Sequence, residues 1–194
     1  RYGITAKLIM CFLRYLDEER RQSFSGEAML FEILHFDFYN IPPIEIAKLT
    51  VEVNQKRYNS EPTSLRKLLF DKANTPAKTL FDTGINEGLK KVSAIIEQLI
   101  ADVSNVTLQQ LFANIIQHAG VIGYVLKSED KIALLQLLTA FFDFIKEEAA
   151  KNPRMQLSDL LKTIQRYEQF NIAIEAWQIL QMPDSINLIT DRKS

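Results

Sequence analysis

The residues EAMLFEILHFDFYNIPPIEIAKL, numbers 27–49, decide how this chain folds. They predict a helix, a sharp Asn-Ile-Pro-Pro corner and a second helix. Ser25 is placed to cap the first helix, and Glu27 lies in its first turn, where a negative charge is favourable. Asn40 is suited to the turn itself, and the two prolines that follow are suited to the first turn of the next helix.

The apolar residues around this corner recur at helical spacing, so each of the two helices is expected to turn one face to the core. In the first helix the predicted core-facing residues are Ala28, Phe31, Leu34 and His35. In the second helix they are Ile44, Ala47 and Val51, with Ile41 beside them. The corner therefore predicts two helices that pack on a common core.

The composition limits both the fold and the function. At 194 residues, 47% of them hydrophobic, the chain can bury a substantial core in one or two domains. Only six glycines and six prolines interrupt the long periodic segments, which argues against a many-stranded sandwich or barrel. The net charge of −1 argues against a strongly basic stand-alone nucleic-acid-binding protein. The single cysteine, Cys11, fits a reducing compartment such as the cytoplasm.

The whole pattern predicts an all-α fold, an irregular bundle of about seven to nine helices. The first helix is expected over residues 5–21, and a long helix is expected around Leu89, Val92, Ile96, Leu99 and Val103. Thr107 to Gln110 has the pattern of a capping box, and Gly120 is placed to end the helix that follows. Residues 131–150 are apolar nearly all round and predict the central, buried helix of the bundle. That run is too short and too often interrupted by polar residues to span a membrane.

The last part of the chain changes character. Ser158 is expected to cap one more long helix, and a short helix is expected around Trp177 at residues 172–180. Residues 185–190 alternate polar and apolar side chains, which is the period of a strand. We therefore expect a helical domain over residues 1–183 and a strand that belongs to an adjoining domain over residues 184–194. Arg1 is not an initiator methionine, and the chain is expected to be a piece of a longer protein.

No pattern in the sequence predicts a catalytic or metal site. Residues 84–90 resemble a phosphate-binding loop only superficially, because the Gly-Lys-Ser/Thr ending is missing. His35 and His118 lie within apolar helical patterns and lack a second ligand at metal-binding spacing, which favours core or interface roles. Cys11 is expected to be a buried, small hydrophobic residue. Residues 48–72 carry six basic and three acidic residues, a pattern of a solvated helix face or of a phosphate-binding patch.

Three segments, taken in order, resemble a known family. They are residues 8–16, which end in LRYL, the block at residues 27–49, and the tail INLITDRKS. This arrangement is similar to the accessory helical subdomain, called 2B, of UvrD/Rep-type superfamily 1 DNA helicases, with the RecB/AddA-like branch as a near neighbour. In that family the chain returns to the motor domain through a strand and a motif whose beginning residues 190–194 resemble. Asn40-Ile41-Pro42 stands where family members often carry Gly-Ile-Gly, and Arg192 stands where the motif usually has histidine.

The resemblance implies a function for the parent protein. It would be an ATP-dependent DNA helicase, with ATP and Mg bound by motor domains outside this chain and no cofactor in the chain itself. The chain would contribute a helical module that contacts DNA or a partner and packs on the motor domains of the same polypeptide. The residues that the resemblance places near DNA are Asn40, Ile41, Lys48, Arg57, Thr190 and Lys193.

Two other interpretations remain open. One is a stand-alone, all-helical protein-interaction scaffold, although the sequence has no repeating period of the kind that solenoids show. The other is a small helical enzyme, which the lack of any catalytic pattern disfavours. Walker A residues upstream of Arg1 and a Lys-Gly-Leu-Glu sequence after Ser194 would identify the helicase.

Overall fold

The computed structural model describes residues 2–58, 63–75 and 84–169, and within these ranges the chain is all-α with no strand. The prediction of an all-helical fold is confirmed for this part of the chain. The short helix predicted at residues 172–180 and the strand predicted at residues 185–190 lie outside the described ranges. The α-helices are α1 (Tyr2–Arg21), α2 (Glu27–Leu34), α3 (Pro43–Arg57), α4 (Leu65–Asn74), α5 (Glu87–Val103), α6 (Leu108–His118), α7 (Val121–Leu126), α8 (Lys131–Lys151) and α9 (Leu157–Gln169).

Side-chain caps account for several helix starts. Ser64, Asn86 and Thr107 each accept a hydrogen bond from a backbone N–H in the first turn of α4, α5 and α6, respectively. The predicted cap at Thr107 is therefore confirmed, although the Gln110 side chain donates to Asn114 instead of closing a reciprocal box.

Two other predicted caps were wrong. The N-cap residue of α2 is Gly26, and the Ser25 hydroxyl instead donates to the carbonyl oxygen of Glu18. Helix α9 begins at Leu157, so Ser158 lies inside it, and its hydroxyl accepts a hydrogen bond from Arg20. Each serine hydroxyl instead forms a hydrogen bond with a residue of α1.

Helix α1 is the centre of the fold. It packs against α2, α5, α6, α8 and α9, and side chains on nearly every side of it are buried, among them Ile9, Phe12, Leu13, Tyr15 and Leu16. The prediction that residues 131–150 form the central helix was wrong. In α8 the polar residues Gln136, Thr139 and Asp143 lie along one exposed side, and Ile132 is 69% exposed. The interrupting polar residues of that segment mark an outer face.

The core-facing sides predicted for α2 and α3 also differ from the sides that these helices bury. In α2 the buried residues are Leu30, Ile33 and Leu34, so the prediction is confirmed for Leu34. Ala28, Phe31 and the C-cap residue His35 are exposed. Six of the eight residues of α2 are apolar, so the periodicity allowed more than one phase. Helix α3 buries the triplet Ile46, Leu49 and Val53, and it exposes the predicted triplet Ile44, Ala47 and Val51. Both triplets have the same three-then-four spacing, so spacing alone does not distinguish them.

A buried carboxylate on α1 ties four parts of the fold together. Glu19 is 4% exposed, and its two oxygens accept hydrogen bonds from the backbone N–H groups of Phe24 and Gly26 at 2.9 and 3.1 Å. The Arg66 guanidinium of α4 donates to Glu19 at 2.8 Å and, through two nitrogens, to Glu97 of α5 at 2.8 and 2.7 Å. The hydrogen bond to Glu97 is the main reason that the pKa of Arg66 is raised, so the group stays charged.

We expect Glu19→Ala to lower the free energy of unfolding by about 3 kcal/mol, because it leaves Arg66 and two backbone N–H groups without their buried acceptor. Glu87→Ala is the matched control, since Glu87 also lies in a helix and forms an ion pair with a lysine but is well exposed. The decrease in the free energy of unfolding for Glu87→Ala should be under a third of that for Glu19→Ala. Urea unfolding of both variants measures this, and equal losses would contradict a structural role for the Glu19 network.

Candidate functional site

The corner between α2 and α3 has the predicted geometry. A single turn of 3₁₀ helix, Asp37–Tyr39, follows α2 and ends at Asn40. Asn40 adopts a left-handed conformation with φ of 51°, which asparagine tolerates better than most residues. Pro43 then begins α3 in the position where proline is favoured. The prediction that Asn40 turns the chain is confirmed, and of the two prolines predicted in the first turn of the second helix, Pro43 lies there and Pro42 is the N-cap residue.

The corner is fixed to the rest of the fold at two points. The Tyr39 hydroxyl is buried and donates a hydrogen bond to the carbonyl oxygen of Ala119 at 2.7 Å. On the other side, Gly88 lies so close to the corner that a Cβ there would meet the Tyr39 carbonyl oxygen at 2.5 Å and an Ile41 side-chain carbon at 2.7 Å. Gly88 therefore has a packing role at the start of α5, where the Asn86 side chain accepts from the Gly88 and Leu89 N–H groups. The corner is therefore hydrogen-bonded to the end of α6 and packed closely against the beginning of α5.

The residues predicted to contact DNA do not form one cluster. Asn40 is exposed at the corner, Ile41 is half-buried against Gly88, and Lys48 is exposed in the first half of α3. Arg57 lies at the far end of α3, about 20 Å from its beginning. Thr190 and Lys193 lie outside the described residues. The structure therefore brings Asn40, Ile41 and Lys48 to one end of α3 and places Arg57 at the other end.

Most of the positive charge between residues 48 and 72 is engaged by carboxylates. Lys48 contacts Glu45 at 2.7 Å, and Arg57 contacts Glu27 of α2. Lys56 and Lys72 both contact Glu52, which lowers the pKa of that carboxyl, with the hydrogen bond to Lys72 as the largest cause. These carboxylates offset much of the positive charge that α3 and α4 carry in this stretch.

The outward face of α3 is the feature that sequence reasoning missed. Ile44 and Val51 are 61% and 53% exposed, and Ala47 between them is exposed as well. Tyr58, at the end of the helix and on the same side, is 92% exposed. We call Ile44, Ala47 and Val51 the outer stripe of α3. The sequence already indicated a second apolar face, because α3 has two apolar triplets of equal spacing on opposite sides. The structure buries one triplet and exposes the other.

The remaining candidate residues have structural surroundings. Cys11 is buried as predicted, and its thiol contacts the carbonyl oxygen of Met29 and the Glu32 carboxylate. Burial, together with Glu32, raises the pKa of that thiol to about 12, so it is a poor nucleophile at neutral pH. Both histidines are exposed, so neither has the core role that was one of the two predicted alternatives, and the interface role stays a prediction. His35 Nδ1 forms a hydrogen bond with the carbonyl oxygen of Phe31 at 2.8 Å.

In the described part of the chain, no group of three or more His, Cys, Asp or Glu side chains is placed to hold a metal ion. None of the helices in the described ranges combines the length and the apolar character that crossing a bilayer requires. Comparison of the chain with models of protein families, with curated proteins and with solved structures finds no match. The outer stripe of α3 and the corner before it are therefore the features on which a functional proposal rests.

Proposed function

We propose that this chain is a non-catalytic helical module that binds a protein partner through the outer stripe of α3. The observation that carries the proposal is that α3 has two apolar faces. One is buried against the core at Ile46, Leu49 and Val53, and the other, the outer stripe, faces solvent. This is the role of the protein-interaction scaffold considered from the sequence, now attached to a particular surface.

The outer stripe has the geometry that helix docking uses. Its residues lie at positions i, i+3 and i+7, which form a straight row along one side of a helix. Single exposed apolar residues are ordinary, but a row of them opposite the core face is not needed for folding. Because Ile44 and Val51 are 61% and 53% exposed, covering them on a partner would contribute roughly 1–2 kcal/mol each. Lys48 and Glu52 flank the row and supply a polar rim.

Contacts with α4 and with the corner hold α3, and with it the outer stripe, in place. Helix α3 packs on α4, and Glu52 of α3 contacts Lys72 of α4 at 2.9 Å. The beginning of α3 follows the corner that Tyr39 and Gly88 fix. A preorganised helix face loses little conformational entropy on binding, which favours association.

A photoreactive p-benzoylphenylalanine at Val51, in the chain expressed from its own gene, tests the proposal. We expect one discrete covalent adduct on irradiation, because a docked partner covers Val51. The same residue at Ala94, an exposed alanine within α5, is the matched control and should give no adduct.

Support requires that the adduct partner, once identified and purified, binds the chain and that Ile44→Glu weakens this binding at least about tenfold. Absence of a discrete adduct at Val51, or the same adduct from Ala94, would contradict the proposal.

A second candidate function is the accessory module of a superfamily 1 helicase, which contacts duplex DNA at the corner. The observation that favours it is the exposed, left-handed Asn40 at the corner, with the exposed Lys48 in the helix that follows. Asparagine and lysine side chains are common donors to phosphate oxygens. Pro42 has no N–H to donate, so the side chains would have to supply the contacts.

For this candidate we expect weak binding of labelled duplex DNA at low salt, measured by fluorescence anisotropy, without ATPase activity of the isolated chain. Lys48→Ala should weaken binding and reduce the slope of log affinity against log salt by about 1, since one phosphate contact is lost. Lys91→Ala, a control at an exposed lysine of α5, should leave the slope unchanged. No binding at low salt, or equal effects of both variants, would exclude DNA contact at the corner.

A further inference from the structure

We infer that the partner of the outer stripe is a second copy of this chain, docked antiparallel along the same stripe. The inference rests on the proposed function and names its partner. It comes from two properties of α3, the order of its large and small apolar side chains and the order of its charges. A single two-fold axis both interdigitates the apolar side chains of the two copies and pairs their opposite charges.

The apolar side chains interdigitate when the axis crosses α3 midway between the levels of Ile46 and Ala47. In that register, Ile44 of one copy lies between the levels of Ala47 and Val51 of the other, about 3 Å along the axis from each. The two Ala47 residues face each other near the centre, where a small side chain lets the helices approach closely. Ile44 and Ala47 are then covered by the stripe of the second copy, and Val51 lies level with the N-cap residue Pro42 of that copy, about 3 Å along the axis from its Ile44.

The same axis pairs opposite charges. Glu45 and Lys48 lie at equal distances on either side of the midpoint, so Lys48 of each copy is level with Glu45 of the other. Within one chain these two side chains already form a 2.7 Å ion pair. The exposed Lys48 lies beside the stripe, and Glu45 lies further round the helix, within reach of the long lysine side chain. Two copies would therefore place four charges of alternating sign along that side of the stripe, which favours this register over one that opposes like charges.

The expected dimer is reversible. A single pair of helices buries less than the roughly 800 Å² per partner of a standard stable interface. We therefore expect self-association at high micromolar concentrations of the chain.

Sedimentation velocity on the 194-residue chain tests the apolar part of the interface. The unmodified chain should shift from monomer to dimer as its concentration rises. Ala47→Glu should weaken the dimer at least about tenfold, because it places a carboxylate at the centre of the stripe. Ala94→Glu is matched in residue type, exposure and helical position, and it should dimerise like the unmodified chain.

Mixing two charge variants tests the register. Lys48→Glu and Glu45→Lys alone each oppose like charges across the axis, and each should weaken the dimer about threefold or more. An equimolar mixture should recover dimers, because every pair of charges that faces across the axis in the mixed dimer has opposite signs. The two substituted side chains face each other, and the unchanged Glu45 of one copy faces the unchanged Lys48 of the other. The contacts within each chain are the same in both cases, so recovery reports only contacts between copies.

A chain that stays monomeric at every concentration, equal weakening by Ala47→Glu and Ala94→Glu, or no recovery on mixing would overturn the inference. Photo-crosslinking at Val51, repeated on the purified chain at high micromolar concentration, separates this failure from failure of the proposed function. An adduct of twice the chain's mass supports both, whereas an adduct with a different protein supports the function and contradicts self-pairing.

Discussion

The arrangement of the helices depends on the hydrogen bonds that the Glu19 carboxylate accepts. The carboxylate is buried on the central helix, and it binds the chain at Phe24 and Gly26, where the connection to α2 turns. Through Arg66 it also fixes α4, and Arg66 in turn binds Glu97 of α5. A buried charge of this kind is stable only when its hydrogen bonds are complete, so the network selects one arrangement of these elements. The network contacts the residue before α2 and the beginning of α4, and α3 packs on α4.

The sequence predicted where helices begin and end better than which way they face. Thr107 and Gly120 mark boundaries because their backbone and capping preferences are local properties. Which side of a helix faces the core depends on the helices that pack against it. The triplets 44, 47, 51 and 46, 49, 53 have identical spacing, and only the packing of α3 on α4 selects the second as core. Likewise α8 is rich in apolar residues, yet α1 became the centre because five other helices pack around it.

The candidate site was predicted only in part, for the same reason. The Asn40 corner followed from residue types with strong turn preferences, and the structure has it as expected. The partners of the basic residues did not follow from the sequence, because Arg57 pairs with Glu27 and Arg66 with Glu19 and Glu97, far away in the chain. The outer stripe of α3 was mistaken for core because a docking face and a core face have the same composition. An apolar row becomes a candidate binding surface only when the structure leaves it exposed.

The two valines of α3 offer the most direct measurement of the central claim, that one face of this helix is structural and the opposite face is free for a partner. Val53 is buried and Val51 is exposed, so both can be replaced with alanine in the same helix. Urea unfolding at a protein concentration low enough to keep the chain monomeric should show a loss of about 2 kcal/mol for Val53→Ala. For Val51→Ala it should show a loss below about 0.5 kcal/mol. Equal losses for the two variants would mean that the outer stripe belongs to the core, and they would contradict the account.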